Sequence, residues 1–89
     1  MTETLETMRK RLYMRSIRRG IKEMDLILMA FSKAHLADLD SAQLATYDAL
    51  LSENDHDLYQ WVSVQSDEPA VYAELMGIVR EGAVGVTKP

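Results

Sequence analysis

Catalytic side chains are scarce in this sequence, and those present stand apart. His35 and His56 are its only histidines, they fall on different expected elements, and there is no cysteine. Neither histidine sits in an HExxH pattern or beside a nucleophile, so zinc hydrolysis and triad chemistry have no residues to work with. Disulfides and thiolate metal sites are excluded with the cysteines. Asp55, Asp57, Asp67 and Glu68 gather where helices are expected to begin. There, free backbone N–H groups and the helix dipole stabilise carboxylates without any catalytic duty. Their spacing lacks the glycine and terminal glutamate of a calcium loop. Gly82 and Gly85 lie in a short apolar tail rather than between a strand and a helix, so no phosphate cradle is expected. The chain reads as a non-enzyme.

The residues that remain are suited to recognition. Arg15-Ser16-Ile17-Arg18-Arg19-Gly20-Ile21-Lys22-Glu23-Met24-Asp25 gathers long basic side chains and two acids around a glycine. Arg19 and Glu23 are four apart, but Gly20 between them interrupts the helix that would pair them. A glycine at such a junction also lets another backbone approach closely. On spacing alone the segment fits either a helix-terminating glycine flanked by solvated charges or a docking corner.

The elements that must hold this segment are helical. Apolar residues recur at intervals of three and four, and no useful strand-like alternation occurs. A first helix is expected over roughly Glu6 to Arg18, with Met8, Leu12 and Ile17 inward, ending near Gly20 in a left-handed or sharply bent backbone. A second runs from about Ile21 to Ala34 on the stripe Met24, Ile27, Leu28 and Phe31. Asp40 and Gln43 form a capping-box start for a third, which buries Leu44, Tyr47, Leu50 and Leu51. A fourth follows Asp55 as its cap and turns Leu58, Trp61 and Val62 inward. Ser66 or Asp67 caps a fifth with Pro69 in its first turn; Tyr72, Leu75, Met76 and Val79 form its stripe, and Gly82 ends it. Met14, among charged neighbours, has no clear place.

The expected fold class is all-α, a compact single-domain bundle of about five short helices with its core over about 6–82 and flexible ends at 1–5 and 83–89. Eighty-nine residues, 47% hydrophobic and 27% charged, supply one core and no more. The net charge of −4 hides a division: seven of the ten Lys and Arg lie between Arg9 and Lys22, and ten of the fourteen acids lie from Asp38 onward. A basic end on an acidic domain steers docking onto an acidic partner. No signal-peptide or bilayer-length apolar run appears, and the first residues are not the Arg-rich, acid-poor kind that enters mitochondria. A bacterial cytoplasmic location is the expectation.

The stretch from Arg11 to Phe31, RLYMRSIRRGIKEMDLILMAF, resembles the signature of the succinate dehydrogenase assembly (flavinylation) factor family, whose hallmark is R-G-x-x-E followed by an apolar helix. Leu50-Leu51 leading into Asp55-His56-Asp57-Leu58-Tyr59-Gln60-Trp61 is similar to that family's second block. The resemblance covers about Arg9 to Arg80, and it departs from its nearest pattern at Ile17, where an aromatic is frequent, and at His56, where a proline is common. It implies a five-helix bundle acting as a chaperone. Such a factor binds the flavoprotein subunit of succinate dehydrogenase, or of the related fumarate reductase, and promotes covalent FAD attachment to a histidine there. It also implies partner-binding roles for Arg15, Arg18, Arg19, Gly20, Glu23 and Asp25, no stably bound cofactor, no catalytic or metal residues, and a monomer. The competing reading is a helical nucleic-acid-binding domain that lays the Arg9 to Lys22 stripe on phosphates. Its acidic remainder and the lack of a clean recognition helix oppose it.

Overall fold

Thr4 opens the first helix, its hydroxyl accepting from the Thr7 N–H at 3.1 Å. In a computed structural model describing residues 3–17 and 19–83, that helix, α1, spans Leu5–Ser16. It stops two residues short of the expected end, since Ile17 has already left helical geometry. The second, α2 (Lys22–His35), runs into a single 3₁₀ turn at Leu36–Asp38. Then come α3 (Ser41–Leu51), α4 (Asp55–Val62), a second 3₁₀ turn at Ala70–Tyr72, and α5 (Ala73–Ala83). There is no strand among the described residues, and the class is all-α as expected.

The expected capping box of α3 is present: Asp40 accepts from the Gln43 N–H at 2.8 Å, and Gln43 Oε1 accepts from the Asp40 N–H at 3.0 Å. Three other local expectations are corrected. Asn54, not Asp55, caps α4, its side chain accepting from the His56 N–H at 2.8 Å. Asp55 is the first helical residue, and its carboxylate is turned elsewhere. Neither Ser66 nor Asp67 caps α5; Pro69 instead precedes the 3₁₀ turn that feeds it. Gly82 lies within α5 rather than ending it. At the amino end, Glu3 is tied to Arg11 by two hydrogen bonds, and Thr4 and Leu5 belong to the helix start. Residues 1–2 and 84–89 lie outside the described residues, as does most of the expected flexible tail.

Helix α2 is central, packing on α1, α4 and α5, while α1 also lies along α3. The expected stripes meet there: Leu12, Met24, Ile27, Leu28, Phe31, Leu44, Tyr47, Leu50, Leu51, Leu58, Leu75, Met76 and Val79 are all at most 2% exposed. Each such large apolar side chain contributes roughly 1.5–3 kcal/mol relative to exposure. Trp61 also belongs to the core, with its ring 6.0 Å from that of Tyr72. Met14 is exposed, and Ile17 is only half-buried.

Three hydroxyls cross this apolar centre. Ser16 Oγ donates to Leu12 O at 2.7 Å, which commits its one hydrogen. Tyr47 Oη therefore donates to Ser16 Oγ at 2.6 Å, leaving Ser32 Oγ to donate to Tyr47 Oη at 3.3 Å. Helices α1, α3 and α2 are joined by this chain, and burial pushes the Tyr47 phenol above its ordinary pKa.

Val64 is the one non-glycine with positive φ among the described residues. Gln65 N–H bonds to Gln60 O and Val64 N–H to Trp61 O, the Schellman pattern that closes a helix, with Val64 at φ 60 in the left-handed place that glycine usually takes.

Candidate functional site

The Arg15–Asp25 segment forms the corner between α1 and α2, and it is anchored to the α3–α4 junction through Arg19. Arg19 Nε donates to Asp55 Oδ1 at 2.7 Å, Nη1 to Leu51 O at 2.8 Å and Nη2 to Glu53 O at 3.2 Å. Leu51 is the last residue of α3, so the guanidinium satisfies a carbonyl that the helix leaves without an internal partner. The other oxygen of Asp55 accepts from the Gly20 N–H at 2.6 Å. One carboxylate thus holds both the side chain of Arg19 and the backbone of Gly20. The Arg19 N–H donates to Asp25 in the first turn of α2, closing the corner from its other side.

This geometry explains the glycine. Its φ lies outside the left-handed region and its backbone is bent, so of the two expected geometries, left-handed or sharply bent, the second is the one present. A Cβ added at Gly20 would stand 3.3 Å from Asp55 Oδ2, closer than ordinary van der Waals contact. Glycine suits this position because the carboxylate approaches its backbone, and a Cβ would oblige Asp55 to give by a few tenths of an ångström; Gly20 itself is exposed.

The remaining expected residues divide. Arg15 donates to the Asp48 carboxylate, to Asp48 O at 3.3 Å and to Ser52 Oγ at 3.1 Å. Arg11 shares Asp48 through two bonds of 3.2 and 3.0 Å. Those arginines, Arg11 first, hold the Asp48 carboxyl below its ordinary pKa. Glu23, in the first turn of α2, is half-buried and makes no ion pair or hydrogen bond among the described residues. Arg18 lies outside the described residues.

Asp55 and Asp48 were assigned no such roles from sequence, yet a signal existed. Arg11, Arg15 and Arg19 recur every four residues, opposite an acid-rich row at Asp48, Ser52 and Asp55. Far from offering a free basic stripe, these three arginines and Arg9, which donates to Leu36 O and Leu39 O, are each bonded to acceptors on neighbouring segments. That disfavours the phosphate-binding reading.

Two grooves lie away from the corner, one lined by Ala42, Gln43, Thr46, Val71, Glu74 and Leu75, the other by Arg9, Lys10, Tyr13, Ser32, Leu36 and Ala37. Among the described residues, no group of three or more His, Asp or Glu side chains is placed to hold a metal. No helix there is long and apolar enough to cross a membrane.

The sequence model of the family described as flavinator of succinate dehydrogenase matches residues 10–82, which include the whole corner and its anchor. The chain belongs to this family. It is similar to succinate dehydrogenase assembly factor 2, mitochondrial, of the yeast Meyerozyma guilliermondii, at 48% identity over 65 residues, covering 73% of this chain and 48% of that one. The Aspergillus terreus protein of the same name is 43% identical over 72 residues, or 81% of this chain and 24% of that one. Assembly factor 2-A, mitochondrial, of Drosophila sechellia is 39% identical over 82 residues, or 89% of this chain and 50% of that one. The chain spans half or less of the length of these relatives. The family is one of assembly factors, a non-catalytic role, in line with the non-enzyme reading. The bacterial cytoplasmic expectation is overturned, because the relatives are fungal and insect proteins with mitochondrial names. The absence of an Arg-rich leader in the first residues, on which it rested, does not identify a compartment.

Proposed function

We propose that this protein is a docking chaperone for the flavoprotein subunit of succinate dehydrogenase, and by extension of fumarate reductase, and that it promotes covalent FAD attachment there. One observation carries the reading: the R-G-x-x-E residues Arg19, Gly20 and Glu23 form a braced corner whose glycine face is open and whose Glu23 carboxylate has no partner among the described residues. A carboxylate held on the first turn of a helix is ready to accept charge-assisted bonds from another protein. Gly20 lets that protein's backbone come close, and Arg15 and Asp25 complete the rim.

Binding one flavoprotein conformation more tightly than another shifts its population toward the state in which histidine and flavin are aligned. The factor acts as a monomer and holds no flavin itself. An absorbance spectrum of the purified protein tests the latter, with no flavin bands expected.

The experiment is co-purification with the apo-flavoprotein, comparing the native chain with Glu23→Ala. Loss of at least tenfold in affinity with an unchanged far-UV CD spectrum is expected. Retention of the complex at native affinity would remove Glu23 from the docking surface. Gly20→Arg is a poorer choice, because any side chain there presses on Asp55 and mixes folding with docking.

A further inference from the structure

We infer that Asp55, on α4 and outside the R-G-x-x-E motif, is a positioning residue for docking, because its two oxygens fix Arg19 and Gly20 in one preformed arrangement. The inference rests on the docking reading above and assigns that site a further residue.

Asp55 Oδ1 takes the Arg19 guanidinium and Oδ2 takes the Gly20 N–H, at 2.7 and 2.6 Å. The side chains of Arg19 and Asp55 are only 11% and 17% exposed, so neither is displayed for a partner. Arg19's fork is further spent on Leu51 O and Glu53 O. The loop it grips is held from behind, where Tyr72 Oη donates to Glu53 Oε2 at 2.8 Å. The motif arginine therefore acts through the corner's shape. Without the clamp, the Arg19–Gly20 backbone loses its tie to α4, and the competent arrangement becomes one of several. Apparent affinity falls by the fraction of molecules that retain it, so a corner competent about one tenth of the time binds about tenfold more weakly.

Asp55→Asn is the direct test. A carboxamide puts an NH2 donor in place of one of the two oxygens, so either Arg19 or Gly20 faces a donor where it had an acceptor. The expected result is an affinity for the apo-flavoprotein lowered about tenfold, with the chain still fully folded by CD at the assay temperature. The Gly20 amide proton resonance should move upfield as its short bond to a charged oxygen is lost, a signature that a general loss of stability would not produce. Arg19→Lys keeps the charge but not the fork, and serves if Asp55→Asn folds poorly. In the double variant the losses should not add, since either change opens the same clamp. Additive losses, or native affinity in Asp55→Asn, would overturn the inference. If the native chain itself fails to bind the flavoprotein, it is the docking reading that falls, and this assignment with it.

Discussion

Two arginine–aspartate links join the amino-terminal part of the chain to the α3–α4 region, and they are built differently. At Asp48, Arg11 and Arg15 share one carboxylate, with side chains 39%, 33% and 31% exposed. At Asp55, a single arginine is 11% exposed, its carboxylate 17% exposed, and every contact is doubled by a backbone group. An exposed pair gains little, because water competes for both charges and salt screens them. A sheltered pair loses hydration that only complete hydrogen bonding offsets, so its partners depend on each other. The first link adds modestly to stability, and the second specifies a conformation.

Removing one partner from each link separates the two. Arg19→Ala strands a carboxylate and two carbonyls and should cost about 3 kcal/mol in urea unfolding, with little dependence on salt. A loss below about 1 kcal/mol would make the clamp no different from a surface pair. Asp48→Asn should cost under about 1 kcal/mol and less again at high salt. The Asp48 carboxyl is held below its ordinary 3.8, so its contribution is present above that value and disappears as pH falls through the depressed one. Acid titration of stability should therefore be shallower below about pH 4 in Asp48→Asn than in the native chain.

The smallest effect has the opposite sign and lies outside both links. Val64 is 70% exposed and left-handed. Val64→Gly removes a strain of about 1–2 kcal/mol, partly offset by the freer unfolded chain. A gain of about 0.5 kcal/mol in thermal or urea unfolding is expected, with docking unchanged.

The helices were legible in the sequence because their apolar stripes are simple and their burial follows from spacing; Met24, Ile27, Leu28 and Phe31 illustrate this. The Asp40–Gln43 box was equally readable, since both halves lie within one turn. What escaped were interactions between distant segments. Asp55 satisfies every local criterion for a cap, yet Asn54 takes that place and Asp55 reaches back to Gly20. Likewise the arginines looked like a free basic face because their acceptors, Asp48, Leu51 O and Leu39 O, are brought near only by packing. The motif was visible as residue types, and its bracing was not.

The Ser16–Tyr47–Ser32 chain has an evolutionary consequence. The bonds run one way, from Ser32 to Tyr47 to Ser16, so losing an acceptor strands a donor in the apolar centre at a cost of about 1–3 kcal/mol, whereas losing Ser32 strands none. The route to an all-apolar replacement that avoids this deficit removes Ser32 first, then the Tyr47 hydroxyl, then Ser16. An apolar residue at position 47 should therefore be accompanied by one at position 32. Among relatives, covariation is expected there rather than independent drift.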